Sequence, residues 1–520
     1  MNMPQRIANT CPPLINVMRI SAIGAMVVWL ASSVSSLAIA QQAGTAAAAQ
    51  FPAFAPGMID HLQAMRRFTD PDQSVQQAPP IIPRFQIDGN LAGAVATFQP
   101  AGATFPANDA FFQDLGTNGR SCFTCHEPQN GWSVSAAGVA DRFRDSDGTD
   151  PIFRLVDGAV CPNADVSTPR AKRRAYALLI NKGLIRIGLP IPSPTQFAVT
   201  AVDDPYSCTT NPVTGLTSPT TGIVSIYRRP LPSTNLGFLS AIMWDGREPS
   251  LASQAKDATL GHAQASAAPT DAQVAQIVAF ESGIFTAQEI DHIAGVLHRD
   301  GALGGPVALS LQPFFIGVND PLGKNPTGVP FTSNIFDIYR PWLSAHGEDE
   351  DDVERRLSIA RGEELFNTTN INIVGVAGLN DALGIKSIPG FCGTCHDTPN
   401  VGDHSVKAPL DIGIADADAK SPPALDISGL PVFTLTCTQG PLTGQVFRVT
   451  DPGRALISGQ CADIGKVKGP ILRGLAARAP YFHNGSAATL LDVVNFYDQR
   501  FGIGFTKQQK TDLVNFLNAL

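Results

Sequence analysis

The chain has no long run of basic residues. Its 37 Lys and Arg are outnumbered by 45 Asp and Glu, giving a net charge of −8. That balance argues against a nucleic-acid partner. The leading apolar run, Ile20 to Leu30, is short for a membrane span. Arg6 and Arg19 precede it and Ala38-Ile39-Ala40 follows, so residues 1–40 read as a secretory signal; a retained anchor is the other reading. Cleavage removes two basic residues and no acid, leaving 35 basic against 45 acidic and a net charge of −10. Sustained periodicity is scarce through residues 127–225, where Gly, Pro, Ser and Thr are frequent. With 41 Pro and 47 Gly, the chain is expected to run through many ordered loops between short elements. Its 520 residues suffice for two or three domains.

What is present is a repeated cysteine pattern: Cys122-Phe123-Thr124-Cys125-His126 and Cys392-Gly393-Thr394-Cys395-His396. C-x-x-C-H is the attachment signature of c-type haem. Two thiols three residues apart lie on one side of a turn and can add to the two vinyl groups of one porphyrin. The next residue, His126 or His396, then offers a neutral imidazole to iron. A zinc site or redox dithiol is the plainer alternative, but neither needs a His directly after the second Cys, twice. Of nine cysteines, Cys11 leaves with the signal and four belong to the motifs. Cys161 and Cys208 follow the first motif, and Cys437 and Cys461 the second. An oxidising compartment predicts the disulfides Cys161–Cys208 and Cys437–Cys461.

Coarse elements follow from pattern and caps. Short helices are expected at 58–68, from Asn108 to Gly116 (capped by Asn108 or Asp109), and over 170–182. Others are expected at 250–264, 270–281 and 286–299, the last with Thr286 as N-cap and Glu289 as its box partner. The acidic run 348–352 suits the N-terminus of a helix over 353–366, and helices at 489–497 and 506–520 close the chain. A helix thus precedes each cysteine motif, a weak internal repeat.

These residues resemble the bacterial di-haem cytochrome c peroxidase family, which includes the MauG enzymes. The resemblance is carried by the two motifs, by Trp244-Asp245-Gly246-Arg247, and by Ala479-Pro480-Tyr481-Phe482-His483-Asn484-Gly485-Ser486 with Thr489-Leu490. It covers about residues 105–126, 227–265, 353–396 and 465–520. It implies a mainly α fold of two cytochrome c-like helical domains, 41–345 and 346–520, with loop-rich insertions at 127–225 and 397–464. It implies a periplasmic oxidoreductase that reduces hydrogen peroxide at the N-terminal haem. Electrons would come through the C-terminal haem from a small donor protein, a c-type cytochrome or cupredoxin. A homodimer and a calcium ion between the domains, near Arg229 and Pro480, belong to the same implication. After signal cleavage no membrane insertion is expected.

The residue roles it implies are mixed. Trp244 matches the tryptophan that bridges the haems. Arg247 matches a position that serves haem propionates or only a turn, and His483 one that meets a propionate or backs an iron ligand. Twenty positions after the tryptophan the family has a Glu that moves protons at peroxide; here Gln264 stands there, and an amide cannot shuttle a proton. His262 is the nearest replacement base. No His lies between His126 and His262, so the first iron is expected to keep an open face. No Met follows Met243, and Tyr497 occupies the position of the second haem's Met ligand. His396/Tyr497 ligation follows, with His404, His483, Met58 and Met65 as rivals. Two further functions stay open: a MauG-like or rubber-oxygenase-like enzyme acting on an organic substrate, and a di-haem electron carrier.

Overall fold

In the structure, a computed structural model, residues 78–208, 216–217, 222–347, 349–418 and 425–520 are described. The secretory signal, the helix expected at 58–68, Met58 and Met65 lie outside them. The described residues belong to one unit, Pro71–Leu520.

The expectation of a mainly α fold is overturned. Helix makes up 32% and strand 17%. The strands are β1 (Phe85–Asn90), β2 (Gly93–Phe98), β3 (Ile185–Pro190), β4 (Phe197–Asp203), β5 (Ile223–Arg228), β6 (Phe285–Asp291), β7 (Gly295–Val296), β8 (Ile371–Val374), β9 (Ser387–Gly390), β10 (Val432–Cys437) and β11 (Val446–Val449). They form a four-stranded sheet β1-β2-β6-β7, a three-stranded sheet β11-β10-β4, and the pairs β3-β5 and β8-β9.

The clearest single correction is β6. Thr286 and Glu289 mimic a capping box, but the backbone from 285 pairs antiparallel with β2, Phe285 opposite Phe98. Thr286 bonds side chain to side chain with Thr97 and Thr234, and Glu289 pairs with His298 instead. Distant pairing overrode a local signal worth about 1 kcal/mol. Similarly, the helix expected from Asn108 is only two single turns, Pro106–Asn108 and Ala110–Phe112, although Asp109 does cap Phe111. The helix expected over 170–182 is broken at Tyr176 into Pro169–Ala175 and Ala177–Lys182.

Helices with strong caps stand where expected. Ser250 caps Leu251–Gly261, and Thr270 with Gln273 boxes Asp271–Gly283. Asp349 caps Glu350–Thr368, whose first turn carries Glu350, Asp351 and Asp352 against the helix dipole. Thr489 and Thr506 box Leu490–Phe501 and Lys507–Asn518. Glu350–Thr368 crosses Lys507–Asn518 so tightly that a Cβ at Gly362 would come within 2.1 Å of the Asp512 carbonyl oxygen. Ser358 and Arg361 bond the Asp512 carboxylate at the same crossing.

The segments 127–225 and 397–464 are not separate loops. β4 from the first pairs with β10 from the second. Both disulfides, Cys161–Cys208 and Cys437–Cys461, are formed as expected. All four cysteines are buried in one apolar core with Phe197, Phe433 and Leu435.

Candidate functional site

Each cysteine motif folds into a single tight turn. In the first, the amides of Cys125 and His126 both close on the Cys122 carbonyl, at 3.2 and 3.0 Å. Thr124 Oγ1 accepts the Ser121 amide at 3.1 Å. The second repeats this: Cys395 and His396 close on Cys392 at 3.2 and 3.1 Å, and Thr394 accepts the Phe391 amide at 3.0 Å. The four thiols are free. Burial pushes Cys122 up to about 12, Cys125 to about 11, and Cys392 and Cys395 to about 12.

The two histidines are held alike. His126 Nδ1 lies 2.9 Å from the Trp132 carbonyl, and His396 Nδ1 lies 2.7 Å from the Gly402 carbonyl. A carbonyl only accepts, so Nδ1 carries the proton and Nε2 keeps its lone pair. Burial lowers His126 to about 4 and lowers His396, keeping both rings neutral. Aromatic rings back each one: Phe111 at 6.3 Å from His126, and Phe366 at 6.1 Å from His396.

Each turn opens on a mainly apolar pocket that is partly open to solvent; the empty space, solvent included, is about 1440 Å³ at the first motif and about 1750 Å³ at the second. Pro230, Pro232, Lys468, Pro470 and Arg478 line both. Met243 lines the first and its neighbour Trp244 the second. Trp244 Nε1 donates to the Arg229 carbonyl at 2.8 Å, and its ring meets His483 edge-on at 6.1 Å.

Of the expected residues, His262 lines the first cavity and Gln264 lines neither. Gln264 is exposed with φ +54°, its side chain accepting from Asn118 at 3.3 Å. Arg247 is spent on Asp245 at 3.1 Å and also lines neither. Tyr497, His404 and His483 all line the second cavity. No described residue makes a hydrogen bond to the Tyr497 hydroxyl, whose pKa burial drives far upward. Burial lowers His483 to about 4, and neither of its ring nitrogens has a hydrogen-bond partner among the described residues.

Sequence reasoning missed Lys468, Arg473, Arg478 and Glu281. The three cations line the first cavity, and among the described residues none forms a salt bridge. Arg473 is 3% exposed, and its Nε and Nη2 have no partner. Burial lowers Lys468 to about 8 and Arg473 and Arg478 to about 10. The signal available was basic residues spaced among Gly, Pro and Leu in 466–480. Glu281 lies in the last turn of the helix Asp271–Gly283; burial pushes it up to about 8, and its Oε1 is unpartnered.

These features define a two-centre site that fits two c-type haems. The thiols and Nε2 face cavities large enough for a porphyrin. Arg473 and Arg478, buried with no salt-bridge partner among the described residues, call for anionic partners, since an uncompensated buried charge costs several kcal/mol; haem propionates would supply them. No cluster of three His, Cys, Asp or Glu suited to a metal occurs among the described residues. Beside Pro480, the carbonyls of Lys182, Val134 and Arg478 converge on the Arg229 guanidinium, which already supplies a cation.

No family model matches the chain. It is similar to "Cytochrome-c peroxidase IdrP2" of Denitromonas iodatirespirans, 44% identical over 78 residues, 14% of this chain and 21% of that protein. It is also similar to "Cytochrome-c peroxidase IdrP1" of Pseudomonas sp. (strain SCT), 37% identical over 81 residues, again 14% and 21%. The chain thus spans about a fifth of the length of the curated relatives it matches. Among solved structures it is similar to a MauG-like protein associated with microbial copper homeostasis, at 15% identity and a TM-score of 0.34, over 79% of this chain and 85% of that one. Among the described residues, no helix is long and apolar enough to cross a membrane.

Proposed function

We propose that this chain is a periplasmic di-haem c-type oxidoreductase that reduces hydrogen peroxide at the first cavity, with electrons entering through the second. One observation carries the reading. Two identical turns each present two thiols and a neutral imidazole to a large apolar cavity, and the cavities share a wall bearing unpaired cations. Residues 41–345 would hold the first haem and 346–520 the second. Cys122, Cys125, Cys392 and Cys395 tether them, while His126 and His396 bind iron through Nε2. Lys468, Arg473 and Arg478 hold the propionates. Bound haem supplies the redox chemistry; the remaining tasks fall to side chains.

His262 takes and returns the proton at peroxide, in place of the carboxylate that Gln264 lacks. The apolar walls of the first cavity exclude bulk water from that exchange. Trp244 lies between the sites and carries electrons across. Tyr497, which lines the same cavity as His396, would offer its hydroxyl oxygen to the second iron. A small c-type cytochrome or cupredoxin is the donor. The test is steady-state oxidation of a reduced donor cytochrome by peroxide, on holoprotein shown to hold two haems per chain. Turnover that falls at least tenfold in His262→Ala supports the reading. A single haem per chain, or no peroxide-dependent oxidation, refutes it.

The Tyr497 side chain, buried in a cavity with no thioether, favours a second reading. There the oxidising equivalents pass through Trp244 to an organic substrate.

A further inference from the structure

Resting on the reading that peroxide enters the first cavity, we propose that Asp157 and Arg120 are a positioning pair. They hold the His262 ring with Nδ1 protonated and Nε2 free as the proton acceptor.

The geometry is that of a buried relay built from three remote segments. His262 follows the helix Leu251–Gly261, and its amide closes the last turn on Ala258 at 2.8 Å. Its Nδ1 lies 2.6 Å from Asp157 Oδ2. Asp157 Oδ1 accepts from Arg120 Nη1 at 2.7 Å. The Arg120 guanidinium is itself fixed, donating to the carbonyls of Pro151 at 2.7 Å and Ile152 at 2.6 Å. The Asp157 and Arg120 side chains are only 5% and 4% exposed, whereas His262 is 39% exposed. The pair therefore forms a rigid floor under a ring that reaches open space.

An ionised carboxylate can only accept a hydrogen bond. Burial alone would raise the Asp157 pKa, but Arg120 and the His262 bond outweigh burial and hold it below the ordinary value. Nδ1 must then be the donor, and the lone pair of the neutral ring is confined to Nε2. Nδ1 is turned to Asp157, and the ring lines the first cavity. Without the pair, the ring could rotate, or carry its proton on the wrong nitrogen.

The proton accounting closes. One O–H bond of peroxide breaks and its proton passes to Nε2. The imidazolium formed is neutralised by Asp157, while Arg120 balances the carboxylate when the ring is neutral. The O–O bond breaks as Nε2 returns the proton to the other oxygen. Two electrons, one from each of two reduced donor proteins, and two protons from solvent complete two waters.

Four variant proteins and a structure test this. Asp157→Asn keeps size and can still accept from Arg120, but its amide can donate to Nδ1 and favour the wrong tautomer. The second-order rate with peroxide should fall about tenfold or more, with both haem spectra unchanged. Asp157→Glu, which keeps the charge, should recover part of that loss. In a His262→Ala background, Asp157→Asn should cost less than about twofold, because the two residues act as one unit. A near-normal rate for Asp157→Asn while His262→Ala is slow overturns the pair and leaves the peroxide reading standing. Equal, independent losses in both backgrounds also overturn it. A His262→Ala protein as fast as the unmodified one overturns the peroxide reading's proton step itself. Should the Asp157 variants fail to fold, the crystal structure of the unmodified holoprotein decides. The ring must stay within hydrogen-bond distance of Asp157, and a ring turned outward overturns the proposal.

Discussion

Asp451→Asn should destabilise the protein by about 3 kcal/mol at neutral pH. Arg228, at the end of β5, has no exposed side-chain surface. It forks onto Asp451, with Nε to Oδ2 at 2.6 Å and Nη2 to Oδ1 at 3.0 Å. Its Nη1 bonds Asp245, beside Trp244. Arg247 also bonds Asp245, so two guanidinium groups face two carboxylates. Removing one carboxylate leaves this buried set at +1. Breaking a buried pair in this way costs about 3–5 kcal/mol, and the surviving Asp245 places the loss at the lower end. Burial would raise both acids, but Arg228 outweighs it and holds Asp245 and Asp451 below the ordinary carboxylate range. A depressed folded pKa contributes stability that is complete above the unfolded value, near 3.8, and is lost as pH falls through the folded one. The gap between wild type and variant should therefore be full at pH 7 and shrink below about pH 4. Urea unfolding followed by tryptophan fluorescence at several pH values measures this. A loss under about 1 kcal/mol at pH 7, or a gap that persists in acid, would refute the reasoning.

Three further outcomes are expected. Glu281 is raised to about 8 by burial, so the fold keeps it neutral while the unfolded chain ionises near 4.5. Stability should fall as pH rises between these values, and Glu281→Gln should gain about 3 kcal/mol at pH 8 relative to pH 5 in urea titrations; a pH-independent difference counts against it. Tyr497→Phe should change the ferric low-spin spectrum of the second haem and leave that of the first; an unchanged spectrum removes the hydroxyl as ligand. Arg478→Met removes a cation lining both cavities. Spectroelectrochemistry should find both midpoint potentials lowered, and a shift confined to one haem would contradict the shared wall.

Parts whose chemistry is local were legible in the residues alone. A C-x-x-C-H string specifies its own turn, because Cys122 and Cys392 accept the amides three and four residues on. Thr270, Asp349, Thr489 and Thr506 announce their helices because a cap is satisfied within one turn. The cysteine pairs could be read from order and compartment. Tertiary structure decided everything that depends on distant segments meeting. The Thr286 signal lost to a sheet partner nearly two hundred residues earlier in the chain. The position counted as Gln264 proved to be an exposed turn, whereas His262, two residues before it, faces the cavity. Asp157 carries no local pattern, and nothing local separates Lys468, Arg473 and Arg478 from an ordinary solvated run of basic residues. Their importance comes from burial, which makes an unpaired charge costly and a paired one directional, and burial exists only once the chain has closed around them.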